Sequence, residues 1–91
     1  MHATVSPVLA DDLTKALTAL RFTEQATAEI VALVPPAGRH ELLKVIDGSR
    51  HPLRALQHLI NRTHIAMLAK RLRTTTADAE TVARHIREAT R

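Results

Sequence analysis

The stretch DGSRHPLRALQHLINR, residues 47–62, decides how the chain folds. Asp47 and Gly48 read as the end of one helix, since a glycine suits the position just past a helix C-terminus. Ser49, Arg50 and His51 make a turn. Pro52 then suits the first turn of a new helix, because its missing N–H is one that a helix start leaves unpaired anyway. Beyond it Leu53, Leu56, Leu59 and Ile60 recur at helical spacing. Extending the pattern to Met67 on the same face, with Ile65, Leu68 and Leu72 on a second face, predicts one long helix over roughly residues 52–73. A helix that is apolar on two sides is touched from several directions and sits centrally.

Working outward, SPVLADDLTKALTAL opens with Ser6 as an N-cap and Pro7 as a first helical residue, with Asp11 and Asp12 near the positive end of the dipole. Leu9, Leu13, Ala16, Leu17 and Leu20 form its apolar stripe. In RFTEQATAEIVALV, Thr23 is the N-cap, Phe22 folds over the helix start, and Ala26, Ile30, Leu33 and Val34 face inward. Pro35 and Pro36 stop that helix. A short helix follows over roughly residues 40–47, with Leu42, Leu43, Val45 and Ile46 as its apolar content. Thr74, Thr75 and Thr76 break the long helix, as β-branched hydroxyl residues favour caps over helix interiors. Thr75 with Asp78, or Thr76 alone, caps the last helix, whose inward residues are Ala79, Val82, Ala83, Ile86 and Ala89. The fold class is therefore all-α: a compact four- to five-helix bundle with a long central helix, one helical domain over residues 1–91.

Composition agrees. The chain has 91 residues, is 45% apolar, and has Phe22 as its one aromatic side chain and only two glycines. That palette lacks the strand formers and frequent turns of a sheet protein. It also lacks the aromatic platforms on which single-strand binders stack bases. Without cysteine, disulfides and thiolate metal sites are excluded. No apolar run approaches the ~20 residues needed to cross a bilayer. The start, MHATVSPVL, lacks the basic beginning and long apolar core of a signal peptide. The expectation is a cytoplasmic protein with no membrane partner.

Charge is distributed unevenly. Residues 1–49 hold four basic and six acidic side chains, whereas residues 50–91 hold nine basic and only three acidic. A basic half points to a polyanionic partner, and a solvated helix face is the plain alternative. The candidate DNA-backbone contacts are Arg50, Arg54, Arg62, Lys70, Arg71 and Arg73.

Other chemistry is poorly supported. His51, His58 and His64 are seven and six residues apart, not the four that place two ligands on one helix turn, so no metal site is expected. Ser49 near His51 has no recognisable orienting carboxylate, and Gly38 and Gly48 are too isolated for a phosphate loop. The chain is expected to be no enzyme and to need no cofactor. Residues 40–60 have the helix, turn, helix order of a DNA-binding motif, and the second helix would offer Arg50, Arg54, Gln57, Asn61 and Arg62. Against specific base readout, a long helix apolar on two sides has little free face, and the small residue needed for close packing falls near Lys44.

The order of pieces resembles the C-terminal helical lid of AAA+ ATPases: LADDLTKAL, then FTEQATAEIVAL, then the turn with HPLRALQHLINRTHIAMLAKRL, then TTTADAETVARHIREA. The extra short helix HELLKVID, followed by LRALQHLI, is similar to the C-terminal domain of transposition ATPases of the phage Mu B type. The resemblance covers nearly the whole chain. It implies a non-catalytic C-terminal domain of a larger ATPase, contacting DNA and a protein partner such as a transposase or the parent ATPase core. ATP and magnesium are implied only for that parent. In such lids an Arg just after the turn proline reaches nucleotide. Here Leu53 follows Pro52 and the Arg comes one later, at Arg54, about 100° further around the helix. A nucleotide-sensing role for Arg54 is correspondingly weak. The rival expectations are a stand-alone dimerising interaction module and a helix-turn-helix regulator.

Overall fold

The computed structural model describes residues 5–90, with side chains from residue 10 onward. The described residues form six helices, more than the four to five expected: α1 (Val5–Ala19), α2 (Glu24–Leu33), α3 (Pro36–Asp47), α4 (Pro52–Arg62), α5 (Ile65–Leu72) and α6 (Thr76–Ala89). No strand occurs among the described residues. The expected cap Ser6 is already helical, and the side chains of Ser6, Pro7 and Leu9 lie outside the described residues.

The fold class is all-α, but the long central helix is not there. The stretch 52–73 is two helices, α4 and α5, separated at Thr63 and His64. Thr63 is extended (φ −113°, ψ 125°), as suits a β-branched residue following the polar pair Asn61 and Arg62. The two apolar faces assigned to one helix thus belong to two helices, each apolar on one side. Leu56 and Ile60 are the buried side chains of α4, and Leu68, Ala69 and Leu72 those of α5. Met67, expected beside Leu56, lies beyond the break and is 57% exposed.

The central positions go to α3 and α6. α3 packs against α1, α4 and α5, while α6 packs against α2, α4 and α5. Leu13 and Leu17 of α1, Ile30 and Val34 of the α2 segment, Leu42 of α3, and Val82 and Ile86 of α6 meet in one core with Leu56, Leu68 and Leu72.

The caps explain the sharp corners. Thr23 Oγ1 accepts from the Ala26 N–H at 3.1 Å, and Thr75 Oγ1 from the Asp78 N–H at 3.1 Å. Each satisfies a donor that a helix start leaves without a partner. The turn that closes α1 is left-handed at Arg21 (φ 74°), with Phe22 N–H reaching back to the Leu17 carbonyl at 3.1 Å. α5 ends the same way at Arg73 (φ 57°), with Thr74 N–H on the Ala69 carbonyl at 2.9 Å. Pro35 and Pro36 end α2 as expected, but Pro36 also starts α3, four residues earlier than the spacing of apolar residues suggests. Arg39 then folds back and caps α2: its Nε donates to the Val34 carbonyl at 2.8 Å and its Nη2 to Val31 at 3.1 Å.

Candidate nucleic-acid interface

The surface that stands out is the outer face of α4. Its geometry starts in the turn. The Gly48 N–H closes α3 on the Lys44 carbonyl at 2.9 Å, and Ser49 Oγ accepts from the His51 N–H at 3.1 Å. Pro52 then starts the helix, and Leu56 and Ile60 seat it, with Leu53 and Leu59 half-buried on the flanks. That seating fixes which residues face out. Arg54, Gln57, His58, Asn61 and Arg62 are all exposed. They stand at i, i+3, i+4, i+7 and i+8, a single continuous arc of a helix. The arc contains no carboxylate. Among the described residues, none of the five is engaged in a side-chain hydrogen bond or an ion pair.

The expected contact residues fall into two groups. Arg50 and Arg54 line a shallow depression with Leu20, His51, Pro52 and Leu53, beyond the last turn of α3. Lys70, Arg71 and Arg73 line another with Ala37, His40 and Glu41, at the opposite end of α3. A helix of that length separates the two by roughly 15–18 Å. Arg62 closes α4. Arg71 is not a free cation: its Nη2 lies 3.2 Å from Glu41 Oε1, and Lys44 Nζ is 3.7 Å from Glu41 Oε2. The hydrogen bond from Arg71 is the main reason the Glu41 carboxyl titrates below its ordinary value; it outweighs the opposing desolvation by burial, and the charges of Lys44 and Arg71 add to the lowering.

Both α3–turn–α4 and α5–turn–α6 have the order helix, turn, helix. In α3–turn–α4 the objection of a fully occupied second helix disappears, because α4 is an eleven-residue helix touching only α3 and α6 closely. Lys44 does stand exposed where a small residue would be expected, and Gly48 has φ −84°, so the turn is not left-handed. In α5–turn–α6 the turn is tighter and includes the left-handed Arg73. Its second helix, however, is held by three neighbours. The exposed arc of α6 mixes Glu80 and Glu88 with Arg84 and Arg87, so its charges oppose one another.

The sequence offers His58 only as a candidate metal ligand, yet it stands in the middle of the α4 arc; its i+4 spacing from Arg54 is the available signal. His85, by contrast, is buried at the α2–α6 contact with Nε2 2.5 Å from Glu29 Oε1. Among the described residues, no three His, Asp or Glu side chains converge in a metal-binding group. No helix among those residues is long and apolar enough to cross a membrane.

No protein-family model matches the chain, and neither a curated protein nor a solved structure does.

Proposed function

We propose that this chain is a non-catalytic DNA-contacting module. The observation that carries the reading is the outer arc of α4, which presents Arg54, Gln57, His58, Asn61 and Arg62 to solvent with no acidic residue among them. Arg50 extends the same basic surface into the preceding turn, and Lys70, Arg71 and Arg73 supply a second basic group. Each cation that meets a phosphate releases a condensed counterion, so affinity falls steeply with salt. Fluorescence anisotropy on duplex DNA across a salt series tests this. Undetectable binding at low salt, or affinity indifferent to ionic strength, removes the proposal.

The setting we propose is the C-terminal domain of an AAA+ ATPase of the DNA transposition type, meeting a protein partner such as a transposase. Its support is the ordered set of sequence pieces from LADDLTKAL to TTTADAETVARHIREA. A Walker-type core encoded directly upstream in the same reading frame supports the setting, and its absence there removes it.

A second reading, a helical interaction module that pairs with another copy, is favoured by one observation. An open groove of about 440 Å³ between α1 and α2 is lined by Thr14, Thr18, Phe22, Thr27 and Val31, among others. The Thr14 and Thr18 hydroxyls are spent on their own backbone at 2.8 Å, which leaves their methyl groups to the groove. A stable dimer in sedimentation with no DNA affinity replaces the first reading by this one.

A further inference from the structure

We infer that α4 is a base-reading helix: its outer arc enters the major groove of duplex DNA, with Arg54 and Asn61 contacting base edges and Arg50 and Arg62 holding the flanking phosphates. The inference rests on the DNA-contacting reading and goes beyond it, from backbone attraction to sequence recognition.

The argument begins with what an uncommitted cationic face contains. A surface that only attracts phosphate needs charge, and lysine or arginine at any outward position supplies it. The α4 arc is different. Gln57 and Asn61 carry no charge, stand one helical turn apart, and are exposed and uncommitted to any side-chain bond among the described residues. Primary amides of this kind pair bidentately with adenine at N6 and N7, and a guanidinium such as Arg54 pairs with guanine at O6 and N7. Arg54 and Asn61 lie seven positions apart, within about 20° of each other around the helix, with Gln57 and His58 on either side. Around the helix the order is Gln57, Asn61, Arg54, His58 and Arg62, so the middle of the arc is Asn61, Arg54 and His58, whereas Gln57 and Arg62 stand at its two rims and Arg50 lies before the helix begins. Central residues reach furthest into a groove, and rim residues meet its phosphate walls.

Dimensions and support agree. Eleven residues make a rod of about 16 Å. The B-form major groove, about 12 Å wide, admits a helix. α4 lies at the edge of the bundle, seated through Leu56 and Ile60 against α3 and α6. Its outward side is clear along its length. Charge complementarity commits the arc to a polyanion, since it carries no carboxylate. The amide chemistry commits it to exposed base edges. The narrow major groove of duplex RNA does not admit a helix in this way.

The test is selection from a pool of randomised duplex DNA by the 91-residue chain, followed by anisotropy on the selected and scrambled duplexes. A preferred sequence is expected. Asn61→Ala should erase the preference at one base pair, by roughly 5- to 150-fold, and weaken binding to the selected duplex far more than to scrambled DNA, since it removes no charge. Arg54→Ala should erase a preference and also weaken scrambled binding. Both side chains are exposed, and circular dichroism with urea midpoints verifies that the variants fold. Equal binding to selected and scrambled duplexes overturns base reading and leaves backbone contact standing. A preference that survives the α4 changes and is lost in Arg84→Ala moves reading to α6 and overturns the inference. Equal affinity for duplex RNA overturns it as well. Absence of any binding removes both this inference and the reading beneath it.

Discussion

The backbone carbonyl of Leu72 occupies the space that a Cβ on Gly38 would need. Such a carbon would overlap the Leu72 oxygen, lie 2.5 Å from Cγ1 of Val34 and lie 2.9 Å from the Leu72 carbonyl carbon. The first turn of α3 therefore rests directly on the last turn of α5. Helix propensity alone makes Gly38→Ala favourable by about 1 kcal/mol. The overlap with backbone reverses the sign, and a net destabilisation of about 1–3 kcal/mol is expected. A urea midpoint that rises in Gly38→Ala contradicts the close approach.

The two arginines in left-handed conformations give paired predictions. A left-handed backbone costs a non-glycine residue about 1 kcal/mol. Arg21→Gly should raise stability by up to that amount and leave DNA affinity alone, because Arg21 lies outside the proposed surface. Arg73→Gly should raise stability similarly but weaken DNA binding, because its guanidinium belongs to the Lys70–Arg73 group. Thermal melts and anisotropy on the same samples read both. Parallel behaviour of the two variants in both assays removes Arg73 from the phosphate contacts.

Glu41 links charge pairing to pH. Its carboxyl titrates below the ordinary value, chiefly because of the Arg71 hydrogen bond. The unfolded chain, with the higher pKa, takes up the proton first as pH falls. The stabilisation from the pair is therefore fully present above the unfolded pKa and is lost as pH drops through the lowered folded one. The pair is half-exposed, so the amount is within about 1 kcal/mol. Glu41→Gln should remove this pH dependence. At neutral pH it should also free Arg71 and tighten DNA binding a few-fold. Unchanged or weaker binding in Glu41→Gln places Arg71 away from the DNA.

Salt slopes separate the proposed phosphate contacts. Each phosphate contact contributes about 0.9 to the slope of log affinity against log salt. Arg50→Ala and Arg62→Ala should each lower it by about that much. Arg71→Ala should lower it less, since its charge is shared with Glu41 at 3.2 Å. Equal reductions for all three count against the shared-charge account.

Much of the architecture was legible in local chemistry. Thr23 and Thr75 announced their helices through the hydroxyl that accepts an orphan N–H, and Pro35 and Pro52 marked corners because each constrains one backbone dihedral, whereas Gly48 ends α3 with an ordinary φ of −84°. The apolar inward residues of α2 and α6 followed from periodicity, which is a property of the helix itself, but the buried Thr27 and His85 did not. The break at Thr63 was not legible, because Leu56, Ile60 and Met67 keep helical spacing across it. Spacing is blind to a change of direction that leaves the register nearly intact. Nor was the start of α3 at Pro36, since Ala37, Gly38 and Arg39 carry no apolar stripe; that turn forms because Gly38 admits the α5 backbone and Arg39 caps α2.

The candidate surface divides in the same way. The residue types, Arg54, Gln57, Asn61 and Arg62 with an acid-poor surrounding, were present in the sequence from the outset. Their availability was decided by tertiary structure. By breaking at Thr63 and His64, the chain turns a helix apolar on two sides into two helices each apolar on one, and so leaves the outer arc of α4 free. Hydrophobic spacing determines which residues seek the core, but which remaining face is left uncovered depends on where neighbouring helices pack, and that is settled by long-range contacts such as those of α4 with α3 and α6.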